Sequence, residues 1–200
     1  MTSSGPDLIR RELTKAAGVV QAMLDDEQLL ATIAEIGRAG AAAIQAGGKV
    51  MFCGNGGSAA DSQHLAAELV GKLLLDRRAM AGLALTVDSS ALTAIGNDFG
   101  YEHVFGRQVE GLGRAGDVLV GLSTSGRSKN VVNAMKVARE NSIVTVAMTG
   151  PVRGPMAELA DHWIAVPHPD TQKIQEGHIM IGHIFCALIE QHVHGRTAGN

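Results

Sequence analysis

The chain has 200 residues, enough for one domain of ordinary to large size, and 46% of them are hydrophobic, enough for a sizeable core. Aromatics reach only 3%, so Ala, Val, Leu, Ile and Met must build that core. A formal net charge of −3 without any Lys/Arg run argues against a nucleic-acid partner; no apolar run is long enough for a membrane span, and the polar, charged start (Met1–Gly5, Asp7, Arg10, Arg11) is not a signal peptide, so the cytoplasm is expected.

Two helices come first. Asp7–Leu24 carries Leu8, Leu13, Ala16, Ala17, Val20 and Leu24 at helical spacing, and Asp26–Ala46 repeats the pattern until Gly47-Gly48 stops it. They are expected to form an antiparallel hairpin, packed on the main domain or on another subunit. From Lys49 onward short apolar runs alternate with helices. Val50–Cys53 reads as a buried strand, Gly54–Gly57 as a loop and Ser58–Val70 as a helix. Leu83–Val87 reads as a strand, Ser90–Ile95 as a helix, Asp98–Gly100 as a break and Val104–Leu112 as a further helix. Asp117–Leu122, Ile143–Met148 and His162–Val166 are the remaining strands. Lys129–Asn141, the short Met156–Ala160 and the long Thr171–His194 are the remaining helices. Such alternation specifies βαβ units, a parallel sheet and helices on both faces. Ligands of these sheets bind beyond the carboxyl ends of the strands. The informative loops are therefore those after Cys53, Val87 and Leu122. Cys53 and Cys186 are far apart and form no CxxC pair, so they read as reduced core residues.

The segment Ser123-Thr124-Ser125-Gly126-Arg127-Ser128 follows a strand and opens a helix. The first turn of a helix leaves its N–H groups unpaired, and the dipole favours an anion there. A phosphate monoester is the natural guest. An N-cap would need one hydroxyl rather than four, and no lysine follows the glycine as in a nucleotide P-loop. In Gly54-Asn55-Gly56-Gly57-Ser58 the glycines let backbone approach a ligand, while Asn55 and Ser58 can bond sugar hydroxyls. A loose GxGxxA pattern here points to no dinucleotide, because the next strand-end acid, Asp88, comes too late. Asp61, His64 and Glu68 share one helix face; His64 and Glu68, a turn apart, could ligate one metal or transfer a proton. The last helix is apolar nearly all round and should be buried, so Gln175 and His183, two turns apart, need polar partners and could face one site; His178 lies on another side. Asn97 and Asp98, in the turn Gly96–Gly100, are possible substrate contacts.

Four segments together carry a resemblance: Phe52–Glu68, Ala94–Asp98, Leu122–Asn130 and Gln172–His183. In order and over nearly the whole chain they are similar to the motifs of the phosphoheptose isomerases, members of the sugar isomerase (SIS) domain superfamily. The resemblance implies a three-layer, flavodoxin-like or Rossmann-like α/β domain over residues 1–200, with residues 1–47 as N-terminal helices and 48–200 as core. It implies conversion of D-sedoheptulose 7-phosphate to D-glycero-D-manno-heptose 7-phosphate, toward the heptose of lipopolysaccharide or capsule, by a cytoplasmic homotetramer with sites between subunits. It assigns Glu68 and His183 as the catalytic pair, and His64, Glu68, Gln175 and His183 as ligands of one zinc ion per subunit. Asn55, Gly56, Gly57, Ser58, Asp61, Glu68, Asn97, Asp98, Ser123, Thr124, Ser125, Ser128 and Gln175 become substrate-binding positions. A non-catalytic SIS protein that binds phosphosugars or a replication initiator shares this fold, and the presence of Glu68 and His183 separates the two. No basic helix-turn-helix precedes Lys49, which argues against a DNA-binding SIS regulator.

Overall fold

The computed structural model describes residues 5–195; Met1–Ser4 and residues 196–200, hence both ends of the expected 1–200 domain, lie outside them. Helices α1 (Gly5–Leu24) and α2 (Glu27–Gln45) come first. Asp26 caps α2, its carboxylate accepting the Leu29 N–H at 3.0 Å. The hairpin docks on its own chain, α2 lying against the final helix and the sheet.

Five parallel strands follow in the spatial order β2-β1-β3-β4-β5: β1 Val50–Gly54, β2 Gly82–Ala84, β3 Val118–Leu122, β4 Val144–Thr149 and β5 His162–Ala165. Each is reached through helix, as a parallel crossover requires. The connecting helices are α3 (Gly57–Val70), α4 (Ser89–Phe99), α5 (Gly106–Leu112), α6 (Lys129–Glu140) and α7 (Pro155–Leu159); α8 (Thr171–His194) closes the chain. Alternate strand residues feed two cores. Val50, Phe52, Val118, Val120 and Val146 pack with Ile36, Leu65, Phe185 and Ile189 of α2, α3 and α8. Met51, Cys53, Leu119 and Ala147 pack with Phe105, Val109, Val131 and Met135 on the opposite face. Burial on both faces explains why the strands read as unbroken apolar runs. Both cysteines are free and buried, and among the described residues no helix is long and apolar enough to cross a membrane.

The strand order contains a switch point. From β1 the chain moves to β2 on one side, then returns to β3 on the other, with Phe52 opposite Val120 and Gly54 opposite Leu122. The loops leaving β1 and β3 therefore diverge and open a crevice at their carboxyl ends.

Three expectations need correction. The second strand is Gly82–Ala84, not Leu83–Val87; it is an edge strand paired only with β1, and Asp88 ends the turn after it by capping α4 through the Ala91 N–H at 2.9 Å. Asp98–Gly100 is no break, since α4 runs on to Phe99; the break is Gly100 alone, with φ +94°, followed by a 3-10 turn at Tyr101–His103 before α5. Finally, α8 is not buried all round, because Met180 and Ile184 are exposed.

Candidate active site

The loop after β1 is shaped by glycine. Gly56 has φ +57°, which side chains avoid, and a Cβ on Gly57 would lie 2.0 Å from Gln175 Nε2. Helix α8 thereby lays Gln175 directly against the start of α3. Asn55 reaches across to Asn130 at the start of α6: its Nδ2 donates to Asn130 Oδ1 at 3.0 Å, and Asn130 Nδ2 donates back at 2.8 Å. The Tyr101 hydroxyl donates to the same Asn55 oxygen at 3.1 Å. The two switch-point loops are thus tied by a reciprocal amide pair. Ser58 is buried, its carbonyl accepting the Ser62 hydroxyl at 2.8 Å.

In the loop after β3, the Ser123 hydroxyl lies 2.9 Å from that of Ser128 and 3.4 Å from that of Ser125. Ser128 occupies the N-cap of α6 but makes no side-chain capping bond. Capping therefore does not account for these hydroxyls. Gly126 turns the loop with φ +64° and donates its N–H to the Ser123 carbonyl at 2.9 Å. The Thr124 carbonyl accepts from the Gly150 N–H at 3.0 Å, fixing the loop to the end of β4. Hydroxyls gathered before a helix start suit an anion.

Across α3 and α8 stands a second cluster. Nε2 of His64 lies 2.7 Å from Nε2 of His183 and 3.3 Å from a Glu68 oxygen, and the two rings meet edge-on at 82°. These three residues offer ligand atoms that all lie within 4.8 Å of one another. Two imidazole nitrogens and a carboxylate oxygen are a donor set suited to zinc. Gln175 is eight residues before His183, about 12 Å along the helix, and its amide neighbours Gly57 and Asp61. Burial pushes the Asp61 carboxyl above its usual range, against the opposing pull of Gln175 and His64. Its Oδ2 is buried without a hydrogen-bond partner.

The face read from the spacing of Asp61, His64 and Glu68 is thus one neighbourhood, which His183 and Gln175 join from α8. Asn97 and Asp98 are exposed on the last turn of α4 and bonded to each other at 2.7 Å. Asn130 and Tyr101 escaped the sequence reading. Asn at the second position of a helix is a poor helix former without a tertiary task, which was the available signal; nothing in the sequence joined Tyr101 to Asn55.

The SIS domain family matches residues 14–150. Over 152 residues, 76% of this chain and 80% of the relative, the sequence is 62% identical to the phosphoheptose isomerase of Akkermansia muciniphila. It is 50% identical to that of Burkholderia pseudomallei over 94% of this chain and 95% of the other. The solved phosphoheptose isomerase of Neisseria gonorrhoeae superposes with a TM-score of 0.88 at 41% identity, over 94% of this chain and all of that one, 100%. A family match across most of the sheet, with relatives of this identity over three quarters or more of the chain, leaves one conclusion: the chain belongs to the phosphoheptose isomerases of the SIS domain family.

Proposed function

We propose that the chain is an aldose–ketose isomerase that converts D-sedoheptulose 7-phosphate to D-glycero-D-manno-heptose 7-phosphate. The observation that carries this reading is the meeting of His64, Glu68 and His183 across α3 and α8, in a chain whose switch-point loop gathers serine hydroxyls. The Ser123–Ser128 loop grips the phosphate, and that remote binding energy orients the sugar. Asn55, Gly56, Gly57, Ser58, Asp61 and Gln175 line the carbohydrate, and Asn97 and Asp98 join from α4. Glu68 takes the proton from C1 and returns it at C2. His183 donates a proton to the C2 oxygen and collects the one leaving the C1 oxygen.

His64, Glu68 and His183 would hold a zinc ion, with Gln175 as the fourth ligand if its amide turns from Asp61, and Glu68 and His183 would leave the ion to exchange protons. When bound, zinc supplies Lewis-acid polarisation of the substrate oxygen. The reading includes a homotetramer, supported by exposed Leu8, Ile9 and Leu13 on α1 and Met180 and Ile184 beside His183 on α8. It also includes one domain over residues 1–200 and a cytoplasmic location, in keeping with two free thiols, and a product destined for the heptose of lipopolysaccharide or capsule.

Glu68→Gln tests the assignment. Turnover of sedoheptulose 7-phosphate should fall at least about a hundredfold, while the sugar phosphate still binds by calorimetry. Bound metal is measured on the same sample, so that loss of a base is told apart from loss of an ion. Near-normal turnover rejects Glu68 as the base.

A further inference from the structure

Arg77 and Glu190 form an ion pair that the isomerisation chemistry does not use. Arg77 lies in the connection from α3 to β2, and Glu190 near the end of α8. Their side chains are 2% and 1% exposed, with Arg77 Nε donating to Glu190 Oε1 at 2.7 Å. Buried charge is costly unless every polar atom is used. Here they are. Arg77 Nη1 donates to the carbonyls of Leu69, Gly71 and Arg78 at 2.9, 3.2 and 3.0 Å, and Nη2 donates to the Glu68 carbonyl at 2.9 Å. One guanidinium thus bonds the Glu68 and Leu69 carbonyls in the last turn of α3, where a cation is favoured. Glu190 accepts the N–H groups of Leu73, Leu74 and Leu75 at 3.3, 2.8 and 3.0 Å.

Of the segment secured in this way, Leu73 is partly buried against the core, while Leu74 is 74% exposed. Packing of Leu73 alone does not call for such an anchor. The atoms held do: Glu68 is bonded through its carbonyl, and its carboxylate faces His64. His183 lies two turns before Glu190 on α8. At the near end of the cluster, Gly182 packs on Leu65 so closely that a Cβ would lie 2.6 Å from Leu65 Cδ1. The α3–α8 separation is therefore fixed on either side of the cluster, by the glycine contacts at Gly57 and Gly182 before His183 and by the ion pair beyond Glu68.

We propose that Arg77 and Glu190 are positioning residues, which hold the last turn of α3 so that Glu68 and His64 meet His183 in reacting geometry. This deepens the isomerase reading and rests on it. A lysine offers one ammonium and cannot bond Glu190 and the carbonyls of Glu68, Leu69 and Gly71 together. Arg77→Lys and Glu190→Gln are therefore compared with Glu68→Gln and the parent chain. The readouts are kcat, KM, thermal midpoint and zinc affinity by competition with a chelator. Arg77→Lys should lose roughly ten- to a hundredfold in kcat and in zinc affinity, with KM within about threefold, since the phosphate loop is untouched. Should either single variant fail to fold, the double Arg77→Met/Glu190→Met leaves no buried charge unpaired and is read in the same way. Variants that melt lower but keep parental kcat and zinc affinity make the pair merely structural and overturn the proposal. Full turnover by Glu68→Gln removes the base assignment instead, and the zinc readout of Arg77→Lys then still decides whether the pair positions the cluster.

Discussion

At Gly57 a missing side chain leaves room for Gln175. A Cβ there would lie 2.0 Å from the Gln175 amide nitrogen, the far end of a flexible side chain, and φ at this position lies outside the left-handed region that favours glycine. Gly57→Ala should therefore fold well: the amide swings aside, and alanine favours the helix that begins here. The consequence falls on the site, because the displaced amide leaves Asp61, whose Oδ2 already lacks a partner. We expect a thermal midpoint within a few degrees of the parent and catalytic efficiency reduced by roughly tenfold. A melt and an initial-rate assay on one preparation check this, and unchanged efficiency would detach Gln175 from the reaction. At this scale the sequence was informative where chemistry clusters locally. Asp61, His64 and Glu68 share a face by spacing alone, and four hydroxyls before a helix announce an anion site. It was silent where partners come from distant segments. Nothing in the one-dimensional order joins Arg77 to Glu190 or Tyr101 to Asn55, since both contacts exist only once α8 and α4 have docked.

Between elements, the decisive contact is the one that joins the loops after β1 and β3. Asn130 is 3% exposed, and its Oδ1 accepts from both Asn55 Nδ2 and its neighbour, the Val131 N–H, each at 3.0 Å. Asn130→Ala removes both amide–amide bonds and leaves Asn55 with the Tyr101 hydroxyl alone. Unsatisfied polar groups at this depth cost about 1–3 kcal/mol, and urea denaturation should register a loss of that size. The looser Asn55 loop should also raise KM several-fold more than it lowers kcat. Asn130→Asp, which keeps one acceptor, tests whether shape or amide donation is responsible. Elements of strong pattern were legible: α1, α2, α6 and α8 lie within a residue or two of where apolar periodicity puts them, and β1, β3 and β4 follow from runs buried on both faces. Between Leu83 and Leu112 the two helices were legible, but the strand before them and the end of α4 were not. An edge strand needs few apolar residues, and Gly100, rather than Asp98, ends α4 by taking a φ of +94°. The reach of α4 through Asn97 and Asp98 was hidden because Gly96-Asn97-Asp98 composes well as a turn.

Across the whole molecule, stability should carry the mark of a histidine outside the proposed chemistry. His178 sits on α8 with 0% exposure, and neither ring nitrogen has a hydrogen-bond partner. Burial lowers its pKa from 6.5 to about 4; the Thr149 backbone opposes this only in part and stands outside hydrogen-bonding geometry. The native state therefore keeps the ring neutral through a range in which the unfolded chain protonates it. The unfolded state binds the extra proton between pH 6.5 and about 4, so stability is full above 6.5 and drains as the pH falls through that window. A shift of two to three units at about 1.4 kcal/mol each sets the loss at about 3 kcal/mol. Carboxylates and other imidazoles titrate nearby, so the parent curve alone does not isolate this ring. The difference between parent and His178→Met does: the variant removes the titrating group while keeping an apolar side chain of similar bulk. Urea midpoints measured every half pH unit should run parallel for the two chains above about pH 7 and then diverge, the parent falling faster toward pH 4. Parallel curves throughout would mean that His178 takes up its proton in the folded state, which requires a polar path to a ring that is 0% exposed and whose nitrogens have no hydrogen-bond partner.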